Sequence, residues 1–277
     1  MPGKLYLVGT PIGNLGDITL RALETLKNTR HIAAEDTRRT RQLLTHFGIH
    51  ERALHALDAN ASERKVEELA ELLESGEDIA LVTDAGMPSV SDPGTALVQA
   101  AQRRGVVVTP IPGPSAVTSA VAASGLVASN FLFLGFLPRS GRKRKDALER
   151  IAKSTDPVLI FEAPQRLHDT FVDLAQLIPD RRATLCREIT KLHEEIAPST
   201  LSELAARTDE WRGEITLVIS GADESEAEAI DLDAVAERAR TRLAEGATVK
   251  TVVAELSTEI ALPKRDLYAL VQRVSDE

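Results

Sequence analysis

The chain has 277 residues, of which 43% are hydrophobic and only 3% aromatic, with a net charge of −9. That apolar content excludes a disordered chain, and the scarcity of rings leaves Leu, Val, Ile and Ala to build the core, as in α/β proteins. The single cysteine, Cys186, excludes an intrachain disulfide and argues against a cysteine-based zinc site.

Taken in chain order, short apolar runs alternate with amphipathic stretches. LYLVG reads as a strand ending in a Gly/Pro turn, and Ile18 to Lys27 as a helix capped by Asp17. HIAAED is the next strand, followed by a helix over TRRTRQLLTHF and another from Ser62 to Glu74. DIALVTD and VVVTPI are strands on either side of a helix from Gly94 to Arg104, and Pro114 to Ala123 is a helix with proline in its first turn. After Gly125 the rhythm restarts. FLFLGFL, PVLIFEA, ATLCREI and EITLVISG are strands, with helices over Arg142–Lys153, Gln165–Leu177 and Leu201–Arg207. The acidic run ADESEAEAIDLD reads as a linker, and helices are expected over Leu232–Leu243, Val249–Glu259 and Lys264–Val274. The expected organisation is therefore an α/β lobe over 1–124, a second α/β lobe over 125–222, and a linker with a small helical module over 223–277.

The charge is unevenly spread. From Leu201 onward 17 acidic and 9 basic residues give −8, which leaves the first 200 residues near neutrality. Two basic clusters stand out in that part. One is Arg38, Arg39 and Arg41; the other is Arg139, Arg142, Lys143, Arg144 and Lys145. Local positive patches steer phosphate backbones whatever the net charge, so both clusters are candidate RNA contacts. MPGKLYLVGTP has the pattern of a strand and not of a signal peptide, and no window holds about 20 apolar residues, so a soluble cytoplasmic protein is expected.

The common nucleotide, hydrolase and metalloprotease motifs are missing. Three Gly/Pro-rich turns instead follow strands: GTPIGN from Gly9, DAGMPSVSDPG from Asp84 and PGPSA from Pro112. In open α/β sheets ligands sit outside the carboxyl ends of strands, where glycine admits close backbone approach. The turns carry no lysine, so they suit an adenosyl ligand better than a phosphate. Asp84, Ser89, Ser91 and Ser115 offer hydrogen bonds to adenine, ribose and an ammonium.

In order along the chain come GTPIGN, AAEDTRRT, TDAGMPSVSDPG, PGPSA, GFLPR, FEAPQR, CREITKLHEE and GEITLVISG. This series resembles the tetrapyrrole methylase superfamily, and within it the branch that acts on ribosomal RNA. The tetrapyrrole enzymes themselves are expected to carry G-x-G-P-G in the first loop and G-D-P in the second, which this chain lacks. Met87 stands where the branch is expected to have threonine.

The resemblance implies two α/β lobes of the tetrapyrrole methylase type with a cofactor cleft between them, and a homodimer. It implies S-adenosylmethionine as cofactor, held by Pro11, Asp84, Gly86, Val90, Ser115 and Ala116, with Glu162, Ala163, Ile215 and Thr216 from the second lobe. The reaction it implies is 2′-O-ribose methylation of a cytidine in the decoding region of 16S ribosomal RNA, met within the small subunit. Asp36 and Lys191 are the candidate catalytic residues; Asp36 also fits a helix N-cap, and Lys191 a phosphate clamp. Lys250, Lys264 and Arg265 of the helical module are further candidate RNA contacts, beside a reading of that module as a dimer cap. Methylation of a porphyrin precursor, diphthamide-type protein methylation and cofactor sensing without catalysis are the alternatives.

Overall fold

In the computed structural model the described residues are 1–222, 232–259 and 264–276. Most of the candidate linker, and the side chain of Lys264, lie outside them. The chain forms two compact units, one of Met1–Ala152 with Pro157–Ser220, the other of Lys153–Asp156 with Gly221–Glu277.

The first unit contains two sheets. Strands β1 (Lys4–Val8), β2 (His31–Ala34), β3 (Ala53–Ala56), β4 (Ile79–Val82) and β5 (Val107–Ile111) form a parallel sheet in the order β3-β2-β4-β1-β5. Their connections carry α1 (Leu20–Asn28), α2 (Thr37–His46), α3 (Glu63–Glu74) and α4 (Thr95–Arg103), and α5 (Ala116–Ser124) follows β5. Helices cover both faces, so β4 is buried at all four positions, as expected for a parallel strand. Ile79 and Leu81 pack with Leu5, Leu69 and Leu97 on one face, and Ala80 and Val82 with Val8, Leu26 and Leu44 on the other.

The helix starts follow their caps. α1 begins at Leu20 and not at Ile18, because Asn14 accepts a hydrogen bond from the Gly16 amide and closes a 3-10 turn over Leu15–Asp17. Ile18 is then extended, and Thr19, whose hydroxyl accepts from the Ala22 amide, is the cap in place of Asp17. α2 is capped by Asp36 through the Arg38 amide, and α3 by Ser62 through that of Lys65.

The second sheet is mixed. β6 (Leu132–Phe136) runs parallel to β7 (Val158–Glu162), and β10 (Ile215–Ile219) lies antiparallel between β7 and β8 (Arg182–Arg187). β9 (Glu195–Thr200) closes the edge, giving the order β6-β7-β10-β8-β9. Helices α6 (Gly141–Lys153), α7 (Pro164–Leu177) and α8 (Leu201–Ala206) pack around a core of Ile160, Leu167, Phe171, Leu185 and Leu217. α5 lies on the opposite face, where Val117 and Ala120 meet Leu159, Cys186 and Val218, and so joins the two lobes.

The second unit holds α9 (Leu232–Ala244), α10 (Val249–Glu259) and α11 (Lys264–Asp276). It has its own core of Val235, Ala239, Val252, Leu256, Leu267 and Val271. Arg242 grips Glu255 of the next helix with Nε and Nη2 at 3.0 and 2.8 Å.

Candidate active site

The order of the first sheet makes a crevice. β1 leads into α1, packed on one face of the sheet, and its neighbour β4 into α4, packed on the other, so the loops after these strands turn to opposite faces at their carboxyl ends. The two loops are then tied across the gap. The Thr10 amide donates to the Gly86 carbonyl at 2.9 Å, the Gly86 amide donates back at 3.1 Å, and the Thr10 hydroxyl donates to the Thr83 carbonyl at 3.1 Å. The loop after β5 presses against the loop after β1. A Cβ on Gly113 would lie 2.8 Å from the Gly9 Cα, so only hydrogen fits between them.

Over these loops lies a cavity of about 350 Å³. Gly86, Met87, Val90 and Asp92 come from the β4 loop, Ser115 and Ala116 from the start of α5. The far wall is Phe136, Phe161, Glu162 and Ala163 with Glu214, Ile215 and Thr216. The lining is mostly apolar, and its charged side chains are all carboxylates: Asp92, Glu162 and Glu214. Glu162 is fully buried and engaged, accepting from the Ala163 amide and the Thr170 hydroxyl, each at 2.8 Å, and pairing with Arg166.

A second cavity, about 480 Å³, adjoins the first and shares Ile12, Ala85 and Glu214 with it. Its lining is more polar and includes cations: Arg39 and Lys191, with the carboxylates Asp84 and Glu214, His46, Thr10, Thr40 and Gln42. Arg39 pairs with Asp84 at 3.1 Å. Lys191 holds Glu188 at 2.7 Å and Glu214 at 3.0 Å. Burial works against its ammonium, but the two carboxylates outweigh that and raise its pKa, so Lys191 is a fixed cation and a poor base. The turn carrying it contains Glu188 and Thr190 with φ of 52° and 71°, a strained conformation for residues with a side chain.

Asp36 lines neither cavity. Its carboxylate accepts from the Arg38 side chain and amide, which hold its pKa down at about 2. Its backbone amide donates to Asp84 at 3.2 Å, so it sits beside the second cavity as a helix cap. Of the ten residues singled out for cofactor contact, Gly86, Val90, Ser115, Ala116, Glu162, Ala163, Ile215 and Thr216 line the first cavity. Pro11 and Asp84 line the second.

Of the basic residues, Arg38, Arg41, Arg139, Arg142, Lys143 and Lys145 are exposed, and Arg39 projects into the second cavity. Arg144 is turned inward. Only 12% of its side chain is exposed, and it binds Asp173 and the Thr170 hydroxyl at 2.7 and 3.1 Å, so its guanidinium is not presented to a phosphate. It lies four residues before Leu148 and seven before Ile151, both buried, a spacing that marks the inner face of α6. Asp92, Phe136, Phe161, Glu188 and Glu214 reach the site without having been singled out in the sequence. Glu188 and Glu214 lie within the quoted motifs, and Asp92 within the second glycine-rich turn.

A model of the tetrapyrrole (corrin/porphyrin) methylases matches residues 4–205. The chain belongs to the tetrapyrrole methylase family. It is thus a methyltransferase with the two-lobed α/β fold of that family. Within the family it is similar to ribosomal RNA small subunit methyltransferase I of Halalkalibacterium halodurans, at 41% identity over 96% of this chain and 93% of that protein. The protein of the same name in Thermotoga maritima is 46% identical over 79% of this chain and 99% of its own length. Among solved structures, the methyltransferase CobJ superposes with a TM-score of 0.60 at 16% identity, over 79% of this chain and 95% of that one. Uroporphyrin-III C-methyltransferase of Thermus thermophilus, complexed with S-adenosyl homocysteine, superposes with a TM-score of 0.56 at 20% identity, over 79% and 97%.

Proposed function

We propose that this chain transfers a methyl group from S-adenosylmethionine to the 2′-hydroxyl of a cytidine ribose in the decoding region of small-subunit ribosomal RNA. The observation that carries this reading is the pair of adjoining cavities, one mostly apolar with no basic residue in its lining, the other polar and lined by Arg39 and Lys191. The first, at about 350 Å³, is within the usual range for a small-ligand pocket. Its apolar walls fit an adenosine. Its carboxylates, without a basic residue in the lining, fit a ligand bearing sulfonium and ammonium charges and repel phosphate. The second cavity offers Arg39, His46 and Lys191 to a phosphate backbone. The relatives named above add the substrate class, because their names specify small-subunit ribosomal RNA.

When bound, S-adenosylmethionine supplies an electrophilic methyl group on sulfur. The chain's task is to hold the acceptor ribose in line at the border of the two cavities and to exclude water. Lys191, kept cationic by Glu188 and Glu214, clamps a phosphate, and Arg38 is aimed by Asp36. The hydroxyl oxygen becomes strongly acidic as its bond to carbon forms, so an ordinary carboxylate suffices to take its proton. Glu214, common to both cavities, is the acceptor offered by this geometry. The exposed Arg38, Arg41, Arg139, Arg142, Lys143 and Lys145 extend the RNA surface. A cytoplasmic homodimer completes the reading.

The test is tritiated methyl transfer to small subunits from cells lacking this enzyme, followed by nucleoside analysis. A 2′-O-methylcytidine is the expected product. Cofactor binding with no label in the RNA would overturn the substrate.

A further inference from the structure

The carboxylates around the two cavities divide by their partners. Glu162 holds Arg166, Asp84 holds Arg39, Asp36 holds Arg38, and Glu188 and Glu214 share Lys191. Asp92 is different. It lines the apolar cavity, and among the described residues it makes no ion pair. Its charged neighbours are Glu35 at the end of β2 and Asp84 after β4, and its polar partner among the described residues is the Thr83 hydroxyl, which also serves Glu35 at 2.7 Å and favours the ionised carboxylate. Asp58, after β3, lines a neighbouring hollow together with Glu35 and Asp92.

The backbone holds Asp92 there. Ser89 and Ser91 have φ of 67° and 63°, and Gly94 has φ of 128° and packs so closely that a Cβ on it would lie 2.7 Å from the Leu81 Cδ2. Two left-handed non-glycine residues in one loop are a conformational cost imposed by the surrounding structure. Desolvation, reinforced by Glu35 and Asp84, raises the Asp92 pKa to about 6. An ionised Asp92 is thus disfavoured among these neighbours and stabilised by a cation beside it.

We propose that Asp92 supplies the counter-charge for the cationic methyl donor. This rests on the cofactor reading above and assigns a partner to that cofactor's positive charge.

The experiment is calorimetric titration of the full chain and its Asp92→Asn variant with S-adenosylmethionine and S-adenosylhomocysteine, from pH 5 to 8, in buffers of different ionisation enthalpy. The wild type is expected to release a proton on binding S-adenosylmethionine near pH 6. Its affinity should fall about tenfold from pH 7.5 to pH 5, following the ionised fraction of Asp92. Asp92→Asn should lose about tenfold at pH 7.5 and show neither the proton release nor the pH slope, while Asp92→Glu restores part of both. A loss confined to S-adenosylmethionine assigns the counter-charge to the sulfonium, and an equal loss for both ligands assigns it to their shared ammonium; either supports the proposal. Wild-type affinity and unchanged proton release in Asp92→Asn overturn it. If the wild type binds neither ligand, the cofactor reading fails and the role of Asp92 falls with it.

Discussion

Glu162 and Asp92 line the same cavity and make opposite predictions about stability. Glu162 is fully buried and satisfied by Arg166, Thr170 and the Ala163 amide, so Glu162→Ala leaves a largely buried guanidinium uncompensated. A loss of about 3–5 kcal/mol is expected, visible as a thermal midpoint lower by roughly 10 °C. Asp92 has its pKa raised in the folded state, so its contribution is favourable at low pH and is lost as pH rises through about 6. Removing the charge with Asp92→Asn should therefore raise the midpoint of the ligand-free protein at pH 7.5 and have little effect at pH 4.5. An equal gain at both values would mean that charge is not the cause. Residues of these two kinds differ in how far the sequence exposes them. Glu162 stands in a motif, FEAPQR, that also carries its partner Arg166. The lack of a cation at Asp92 depends on what β2, β3 and β4 place around it, which no local pattern contains. Arg144 was legible by its spacing to Leu148 and Ile151, but the RKRK run masks that phase.

Among the elements, the apolar runs and the Gly/Pro turns were plain in the sequence because a buried parallel strand and a tight loop each have a composition. β3 and β9 were not. ALHA is four residues at a sheet edge, and EIAPST is polar with Pro198 inside, which an edge strand tolerates because one side of its backbone needs no partner. The site loops depend on close approach more than on turn chemistry. Gly113→Ala places a methyl against the Gly9 backbone and pushes apart the loops beneath the first cavity. Cofactor affinity is expected to fall at least tenfold in calorimetry, with about 1–3 kcal/mol lost in denaturant unfolding. Retention of full affinity would show that the loops yield elsewhere. On the turn after β8, Lys191→Ala should weaken binding of small subunits. The slope of log affinity against log salt should drop by about one, as for the loss of one phosphate contact.

For the molecule as a whole, the two units have separate cores, and the Thermotoga maritima protein is matched over 99% of its length by only 79% of this chain. A chain ending at Gly221 is therefore expected to fold, to melt cooperatively and to bind cofactor within about twofold of the full chain. Aggregation of that fragment, or loss of binding, would show that the helical unit is needed by the body. The sheet order has a further consequence for synthesis. β10 is the last strand of the body, yet it lies in the middle of its sheet and contributes Ile215 and Thr216 to the cavity. The second lobe has a gap at its centre until that strand leaves the ribosome. Chains stopped before Ile215 should therefore be insoluble in cells, whereas chains stopped soon after Ser220 should stay soluble.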